Sequence, residues 1–156
     1  MEDKSSREDL VSKAAYAMNV FYERANELYH DVARSLGLSD SAFDILYALY
    51  SEDGQRQSEL CKTSMMPKQT LASSVRKLEE QGLVRVKNEG RKVSRVFLTP
   101  AGSECANKTI APVMQAEVDA VTALPREVLE LLPETLDSYL DALDRGFRAL
   151  REEQGH

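Results

Sequence analysis

This chain of 156 residues has no tryptophan, only two cysteines and only two histidines, so it is poor in metal-binding and disulfide-forming side chains. Cys61 and Cys105 have no metal-binding spacing between them. His30 has the carboxylates of Glu27 and Asp31 beside it, which is a fragment of a metal site at most. We therefore predict no bound metal and no other cofactor. Free thiols are expected, as is usual in the reducing cytoplasm.

The sequence also lacks the motifs of several enzyme classes and has no long apolar segment. It contains no GxxxxGK[ST] phosphate loop, HExxH pair, CxxC pair or GxSxG elbow. No apolar run approaches the roughly 18 residues of a membrane span. The opening run MEDKSSREDL has no apolar core of the kind found in a secretory signal. We therefore expect a cytoplasmic protein that is not an enzyme.

Positive charge is concentrated in one segment of an otherwise acidic chain. The whole sequence has 20 Lys or Arg and 26 Asp or Glu, a formal net charge of −6. Residues 55–100 contain ten basic and four acidic residues, so this segment carries +6 and the rest carries −12. Because a phosphate backbone responds to local charge, this segment is suited to nucleic acid. A charged surface that is merely solvated is the alternative interpretation.

A helix-turn-helix pattern lies inside the basic segment. Its second helix is predicted to begin at Pro67, because proline suits the first helical turn. Leu71, Val75 and Leu78 share one apolar face of that helix, and Gly82 suits the position after its end. The opposite face suits a DNA major groove. The residues predicted to contact bases from this helix are Lys68, Gln69, Thr70 and Ser73, and those predicted to contact phosphate are Arg76 and Lys77.

Two short strands with a basic turn are predicted after this helix. The run LVRVK alternates apolar and basic residues as a half-buried strand does, and RKVSRVFLT returns with Val96 and Leu98 on one face. Arg91 and Lys92 lie at or beside the tip of the turn. We predict that they contact the DNA backbone or the minor groove. A basic hairpin beside a helix-turn-helix describes a winged helix.

The segment resembles the winged helix-turn-helix of the MarR family of bacterial transcription regulators in the runs LCKTSMMPKQTLASSVRKLEEQGLVRV and GRKVSRVFLTPAG. The resemblance extends to the long helices on either side. Many family members have an Asp two residues before an Arg at the wing, whereas this chain has Gly90 and Lys92 there. The resemblance implies a regulator, more often a repressor than an activator. It also implies that a small molecule, an oxidant or a metal biases the dimer between two shapes.

Long amphipathic helices are predicted on both sides of the basic segment. From about residue 7 to residue 36, apolar residues recur every three or four positions, and Gly37 ends the helix. Thr99 and Pro100 are suited to open another helix, in which Pro112 predicts a bend or break. Pro133 is predicted to start a further helix after a boundary at Leu124 and Pro125. The apolar seam of this last region is Leu129, Leu132, Leu136, Leu140, Leu143, Phe147 and Leu150.

These terminal helices predict a homodimer, because a chain of this size has no other element to cover both of them. Core packing within one chain is the alternative. We assign residues 1–38 and 101–156 to a helical dimerisation region and residues 39–100 to the DNA-binding region of a single intertwined subunit. Tyr16, Tyr22 and Tyr29 on the first helix are assigned to packing at a helix interface, with the lining of a small-molecule pocket as the alternative.

The sulfur-containing residues of the helix-turn-helix are predicted to be structural. Cys61 falls at a core-facing position of the first DNA-binding helix, which favours a buried thiol over a redox sensor. Met65 and Met66 in the turn are predicted to close the core.

The expected fold is mainly α with a small two- to three-stranded antiparallel β wing, a winged helix-turn-helix between long N- and C-terminal dimerisation helices. The expected function is sequence-specific regulation of transcription on double-stranded DNA. The protein would act as a homodimeric repressor on a near-palindromic operator and respond to a small-molecule effector. The alternative is a winged-helix module that binds protein, which the +6 segment disfavours because such a module does not need a basic polar helix face.

Overall fold

The computed structural model describes residues 4–90 and 93–154. This part of the chain is mainly helical with one small antiparallel sheet, which confirms the predicted fold class. None of its helices is long and apolar enough to cross a membrane. The elements in chain order are α1 (Lys4–Ser35), α2 (Asp40–Ser51), β1 (Gln55–Arg56), α3 (Gln57–Thr63), α4 (Lys68–Glu80), β2 (Val84–Asn88), β3 (Ser94–Leu98), α5 (Pro100–Thr122) and α6 (Arg126–Gln154).

Helix α2 is the centre of the first of two compact units, which ends at Pro112. It contacts α1, α3, α4 and β3. Its apolar residues Phe43, Ile45, Leu46 and Leu49 are at most 3% exposed. Burying each such side chain stabilises the fold by about 1.5–3 kcal/mol, so this short helix contributes a large share of the core. The second unit begins at Val113 and contains the end of α5 and all of α6.

Two helices begin at the capping residues that the sequence offers. Ser39 caps α2, since its hydroxyl accepts a hydrogen bond from the N–H of Ala42 at 3.3 Å. Thr99 caps α5 by accepting from the N–H of Gly102 at 3.0 Å, and its hydroxyl donates to the carbonyl of Gly82 at 2.6 Å. Thr99 therefore holds the start of α5 against the end of α4, as well as satisfying a free N–H group.

The sheet has the strand order β1-β3-β2, with both pairs antiparallel. Val86 faces Val96 across the hairpin, and Gln55 of β1 pairs with Val96 from the other side. The two strands of the wing were predicted from their alternating pattern. The third strand has only two residues, which is too short for any alternation to show in the sequence.

Both internal prolines lie within continuous helices. Helix α5 runs from Pro100 to Thr122, so a break at Pro112 is wrong, while a bend there stays a prediction. The prediction that Pro133 starts a new helix is also wrong, because α6 is one helix of 29 residues. Each proline removes one backbone hydrogen bond. In α6, Leu129 and Leu132 before Pro133 and Leu136 and Leu140 after it keep helical spacing, so one uninterrupted helix leaves these four on one stripe.

Gly102 allows α5 to begin directly against the backbone that follows α4. A Cβ atom built at this position would lie 1.8 Å from the carbonyl oxygen of Leu83. Backbone cannot move aside as a flexible side chain does, so a larger residue must displace the start of the helix.

We expect Gly102→Ala to lower the free energy of unfolding by about 2 kcal/mol or more, because the added methyl group overpacks the α5 start. Gly146→Ala is the matched control, since a Cβ there has no heavy atom within 4 Å. Alanine is favoured over glycine in helices, so the control should be neutral or more stable. Urea unfolding of both variants measures the difference. Equal stability of the two would contradict the packing described for Gly102.

Candidate nucleic-acid interface

Helix α4 has one buried face and one exposed face. Leu71, Val75 and Leu78 are at most 2% exposed, which confirms the predicted apolar side. The polar residues that the sequence assigned to DNA all have exposed side chains. Their roles toward DNA stay predictions. They are Lys68, Gln69, Thr70, Ser73, Arg76 and Lys77.

The first turn of α4 favours an anion. Pro67 is the N-cap residue, with φ −58° and ψ 144°, so it lies just outside the helix rather than in its first turn. The helix therefore opens with Lys68 and Gln69, and its first turn contains no acidic residue. The free N–H groups and the helix dipole favour negative charge at this end. The lysine adds a full positive charge in the same place.

Two hydrogen bonds fix the orientation of α4 on the rest of the unit. The hydroxyl of Ser74, on the buried side, donates to the hydroxyl of Ser41 in α2 at 2.9 Å. The carboxylate of Glu79 accepts from the backbone N–H of Val86 in β2 at 2.9 Å. Sequence reasoning missed both residues. A serine on an otherwise apolar stripe was the available signal for Ser74, since a buried hydroxyl needs a partner.

The exposed face of α4 contains local contacts that DNA must compete with. Arg76 donates to Glu80 at 2.9 Å, and the two side chains are 81% and 62% exposed. An exposed pair of this kind contributes roughly 0–1 kcal/mol, so a phosphate group can replace the carboxylate at little cost. The hydroxyl of Ser73 donates to the carbonyl of Thr70 at 2.9 Å. Its oxygen still has acceptor capacity toward a base or a water.

The described part of the wing adds basic residues that are not among the predicted DNA contacts. Arg85 lies with its guanidinium carbon 5.2 Å from the centre of the Phe97 ring, which is a cation–π distance. Lys87 is exposed on the same strand. The hairpin is closed by a hydrogen bond from the N–H of Glu89 to the carbonyl of Val93 at 2.7 Å. The predicted wing contacts Arg91 and Lys92 lie outside the described residues.

The turn between α3 and α4 corrects the assignment of Met65. Its backbone has a φ of +53° and its side chain is 87% exposed, so it does not close the core. A left-handed residue turns its side chain away from the direction that a helix would give it, which the sequence pattern does not reveal. Met66 is half-buried. Cys61 and Cys105 are free and half-buried, so the fully buried Cys61 that was predicted is also wrong.

A second polar region lies between α1 and α2, where a cavity of about 350 Å³ is found. The Nδ1 atom of His30 is 3.0 Å from both carboxylate oxygens of Asp40. Burial raises the pKa of the Asp44 carboxyl, and the charge of Asp40 raises this pKa further. In the described ranges, no group of three or more His, Cys, Asp or Glu is placed to hold a metal ion. The cavity is lined by Asn26, Tyr29, His30, Ala33, Asp40, Phe43 and Asp44.

Comparison with known proteins agrees with the geometry of α4 and the wing. The model of the MarR family matches residues 36–92. The fold is similar to that of a MarR-family transcriptional regulator from Silicibacter pomeroyi, with 26% sequence identity and a TM-score of 0.69 over 81% of this chain and 87% of that one. Residues 36–92 therefore match the MarR family, and the fold of the chain is similar to that of MarR-family regulators.

Two further solved structures share the fold of this chain at lower identity. The S. aureus MepR–DNA complex has 18% identity and a TM-score of 0.67, over 83% of this chain and 96% of that one. NadR in complex with 4-hydroxyphenylacetate has 18% identity and a TM-score of 0.65, over 78% and 91%. No curated protein matches this chain in sequence.

The raised pKa of Asp44 predicts a pH-dependent stability for this protein. A carboxyl whose pKa rises on folding binds its proton more tightly in the folded state. Its contribution to the free energy of unfolding is therefore full at low pH and falls as the pH rises from the ordinary value of 3.8 through the raised pKa. We expect Asp44→Asn to be more stable than the wild type at neutral pH, and this advantage to shrink as the solution is acidified.

Thermal melts of the wild type and Asp44→Asn over a series of pH values measure this difference. An advantage of the same size at every pH would mean that packing, and not titration of the carboxyl, separates the two proteins.

Proposed function

We propose that this protein is a sequence-specific regulator of transcription that binds double-stranded DNA as a homodimer. The observation that carries the proposal is the exposed face of α4, which consists of uncharged polar and basic side chains. The opposite face of the helix is buried and fixes its orientation. A helix that served packing alone would not need Lys68 and Gln69 at an open N-terminus without acidic neighbours. The MepR–DNA complex, which shares this fold, supports DNA as the partner.

The side chains of α4 divide by reach and chemistry. Gln69 can form two hydrogen bonds with adenine, and the hydroxyls of Thr70 and Ser73 accept several partners at a base edge. Lys68 lies beside them at the helix start. Arg76 and Lys77 are assigned to phosphate, and in the proposal Arg91 and Lys92 of the wing contact backbone or minor groove. For Arg76, a solvated residue paired with Glu80 is the alternative.

A second copy of this chain is the proposed partner of the terminal helices. On α6 the side chains of Leu140, Phe147 and Leu150 are 50–59% exposed, and on α1 those of Phe21 and Leu28 are 65% and 63% exposed. Apolar surface of this extent favours association. A two-fold dimer presents two α4 helices, and its operator is a near-palindrome with half-sites about 34 Å apart if they enter successive major grooves.

Control by a small-molecule effector is proposed for the same dimer, with repression as the outcome on transcription. The cavity between α1 and α2 supports this, because α1 belongs to the proposed dimer region and α2 carries α4. NadR, which shares the fold, holds 4-hydroxyphenylacetate. A ligand that favours one spacing of the two α4 helices shifts the population toward or away from DNA binding.

The test of the proposed function is binding to a DNA duplex selected by the wild-type protein from a random pool. We expect tight binding to the selected duplex and weak binding to a scrambled one. The logarithm of the binding constant should fall linearly with the logarithm of the salt concentration. Replacing Lys68 and Gln69 together with Ala should weaken specific binding roughly a hundredfold, since each base contact is worth about 1–3 kcal/mol. Fluorescence anisotropy measures both affinities.

A matched control is Lys108→Ala, which removes an exposed cation from α5 and should change specific binding little. Unchanged operator affinity in the Lys68 and Gln69 variant would show that α4 is not the reading helix. Absence of DNA binding by the wild type at low salt would favour the alternative, a winged helix that binds protein.

The proposed dimer predicts that charge on the α6 stripe separates the subunits. Replacing Leu140 and Phe147 with Glu should weaken dimerisation roughly thirtyfold or more, because carboxylates would then be buried in an apolar interface. Sedimentation equilibrium measures the dissociation constant. Ser138→Glu, on the opposite side of the same helix, should leave it unchanged. An unchanged dimer in the double variant would place the interface elsewhere.

A further inference from the structure

The wing is fastened to the turn before β1 by contacts of a single arginine. The Nε atom of Arg95 donates to a carboxylate oxygen of Glu89 at 3.0 Å, and its Nη1 atom donates to the carbonyl oxygen of Gly54 at 2.7 Å. The side chain of Arg95 is 31% exposed. Its guanidinium therefore joins the far end of β2 to a turn that precedes the helix-turn-helix in the chain. We call Arg95, Glu89 and Gly54 the wing clasp.

Two further contacts between the same turn and β3 support the wing clasp. The carboxylate of Asp53 accepts from the backbone N–H of Leu98 at 2.9 Å, which ties the same turn to the end of β3. The ring of Phe97 lies so close to Gly54 that a Cβ atom there would be 2.5 Å from it. Gly54 also has a φ of +74°, so glycine is required at this position both for space and for backbone geometry.

The guanidinium of Arg95 is already hydrogen-bonded within the protein, unlike that of an arginine free to bind phosphate. Two of its donors already have acceptors inside the protein, one of them charged. Lys87, its cross-strand partner, is exposed by contrast. Bonds to a charged group are among the stronger hydrogen bonds, and losing one leaves its partner unsatisfied. Arg95 is therefore arranged to hold the wing in place rather than to bind DNA itself.

We propose that Arg95 is a positioning residue for DNA binding, which acts with Glu89 to fix the wing against the body of the winged helix. The inference rests on the proposed function. In this chain Gly90 and Lys92 occupy the positions of the family's usual Asp–Arg pair at the wing. The wing clasp supplies a different ion pair, made between Glu89 and a residue six positions later.

Removing the negative charge of Glu89 distinguishes positioning from direct contact. If Arg95 bound phosphate, Glu89→Gln would release it and reduce repulsion, so DNA binding would tighten. If Arg95 positions the wing, Glu89→Gln loosens the wing clasp and binding weakens. The two roles thus predict changes of opposite sign. Glu89→Gln also leaves the bond between Arg95 and Gly54 in place, so the fold has less to lose than in Arg95→Gln.

The experiment measures affinity for the selected DNA duplex, its salt dependence and a hydroxyl-radical footprint. We expect Glu89→Gln and Arg95→Gln each to weaken specific binding roughly five- to tenfold, as a broken contact pair commonly does. The footprint should lose protection at its outer flanks and keep it under α4. The double variant should bind no more weakly than Arg95→Gln alone, because both substitutions remove the same ion pair between Arg95 and Glu89.

Lys87→Gln is the matched control, since it removes a wing cation without touching the wing clasp. It should reduce the salt slope by about one and keep the flank protection. Equal or tighter binding by Glu89→Gln, with wild-type DNA binding intact, would overturn this inference alone. Additive losses in the double variant would overturn it too. A wild type that binds no DNA would overturn the proposed function and this inference together.

Discussion

Burial of the apolar face of α4 in the first unit is the constraint on which the rest of the interface depends. Leu71, Val75 and Leu78 lose nearly all contact with water, and α2, which contacts α4, buries four apolar side chains of its own. Because a helix has one axis, fixing this face also fixes the direction of the opposite one. The polar residues of α4 therefore point toward solvent in directions that are fixed by the burial of the opposite face.

The hydrogen bonds around α4 refine what the apolar contact begins. Apolar burial is non-directional, so by itself it leaves room for small rotations of a helix. The bond between Ser74 and Ser41 and the bond from Val86 to Glu79 remove that freedom at two points along α4. At the next junction, Thr99 and Gly102 bring α5 close to the end of α4. The proposed role of α4 as the reading helix would benefit from this, because functional side chains must be held within about 0.5 Å of their productive positions.

The two units differ in how much apolar surface they bury for themselves. In the first unit, the winged helix encloses a complete core beneath α2 and α4. In the second, α6 has Leu132, Leu136 and Leu143 half-buried and Leu140, Phe147 and Leu150 exposed along one stripe. A long helix with one apolar stripe gains most of its stability by packing against another surface. This stripe therefore supports the proposed association of two copies of the chain.

Sequence by itself determined the local elements of this protein. The apolar positions of α4, the strands of the wing and the cap at Thr99 follow from periodicity and turn chemistry, which act over a few residues. The exposed face of α4 followed as well, since it is the complement of the buried one. These are effects of near neighbours, so a single sequence contains them.

Tertiary structure decided the contacts between residues distant in sequence. His30 pairs with Asp40 rather than with the carboxylates beside it, and Arg95 reaches across to Gly54. It also decided that Met65 faces solvent and that Pro133 is carried within a helix. No local sequence pattern predicts these contacts and exposures, because each depends on how packing of the apolar faces positions the backbone. The wing clasp belongs to this second class, since the pairing of β3 with β1 is what brings Arg95 to Gly54.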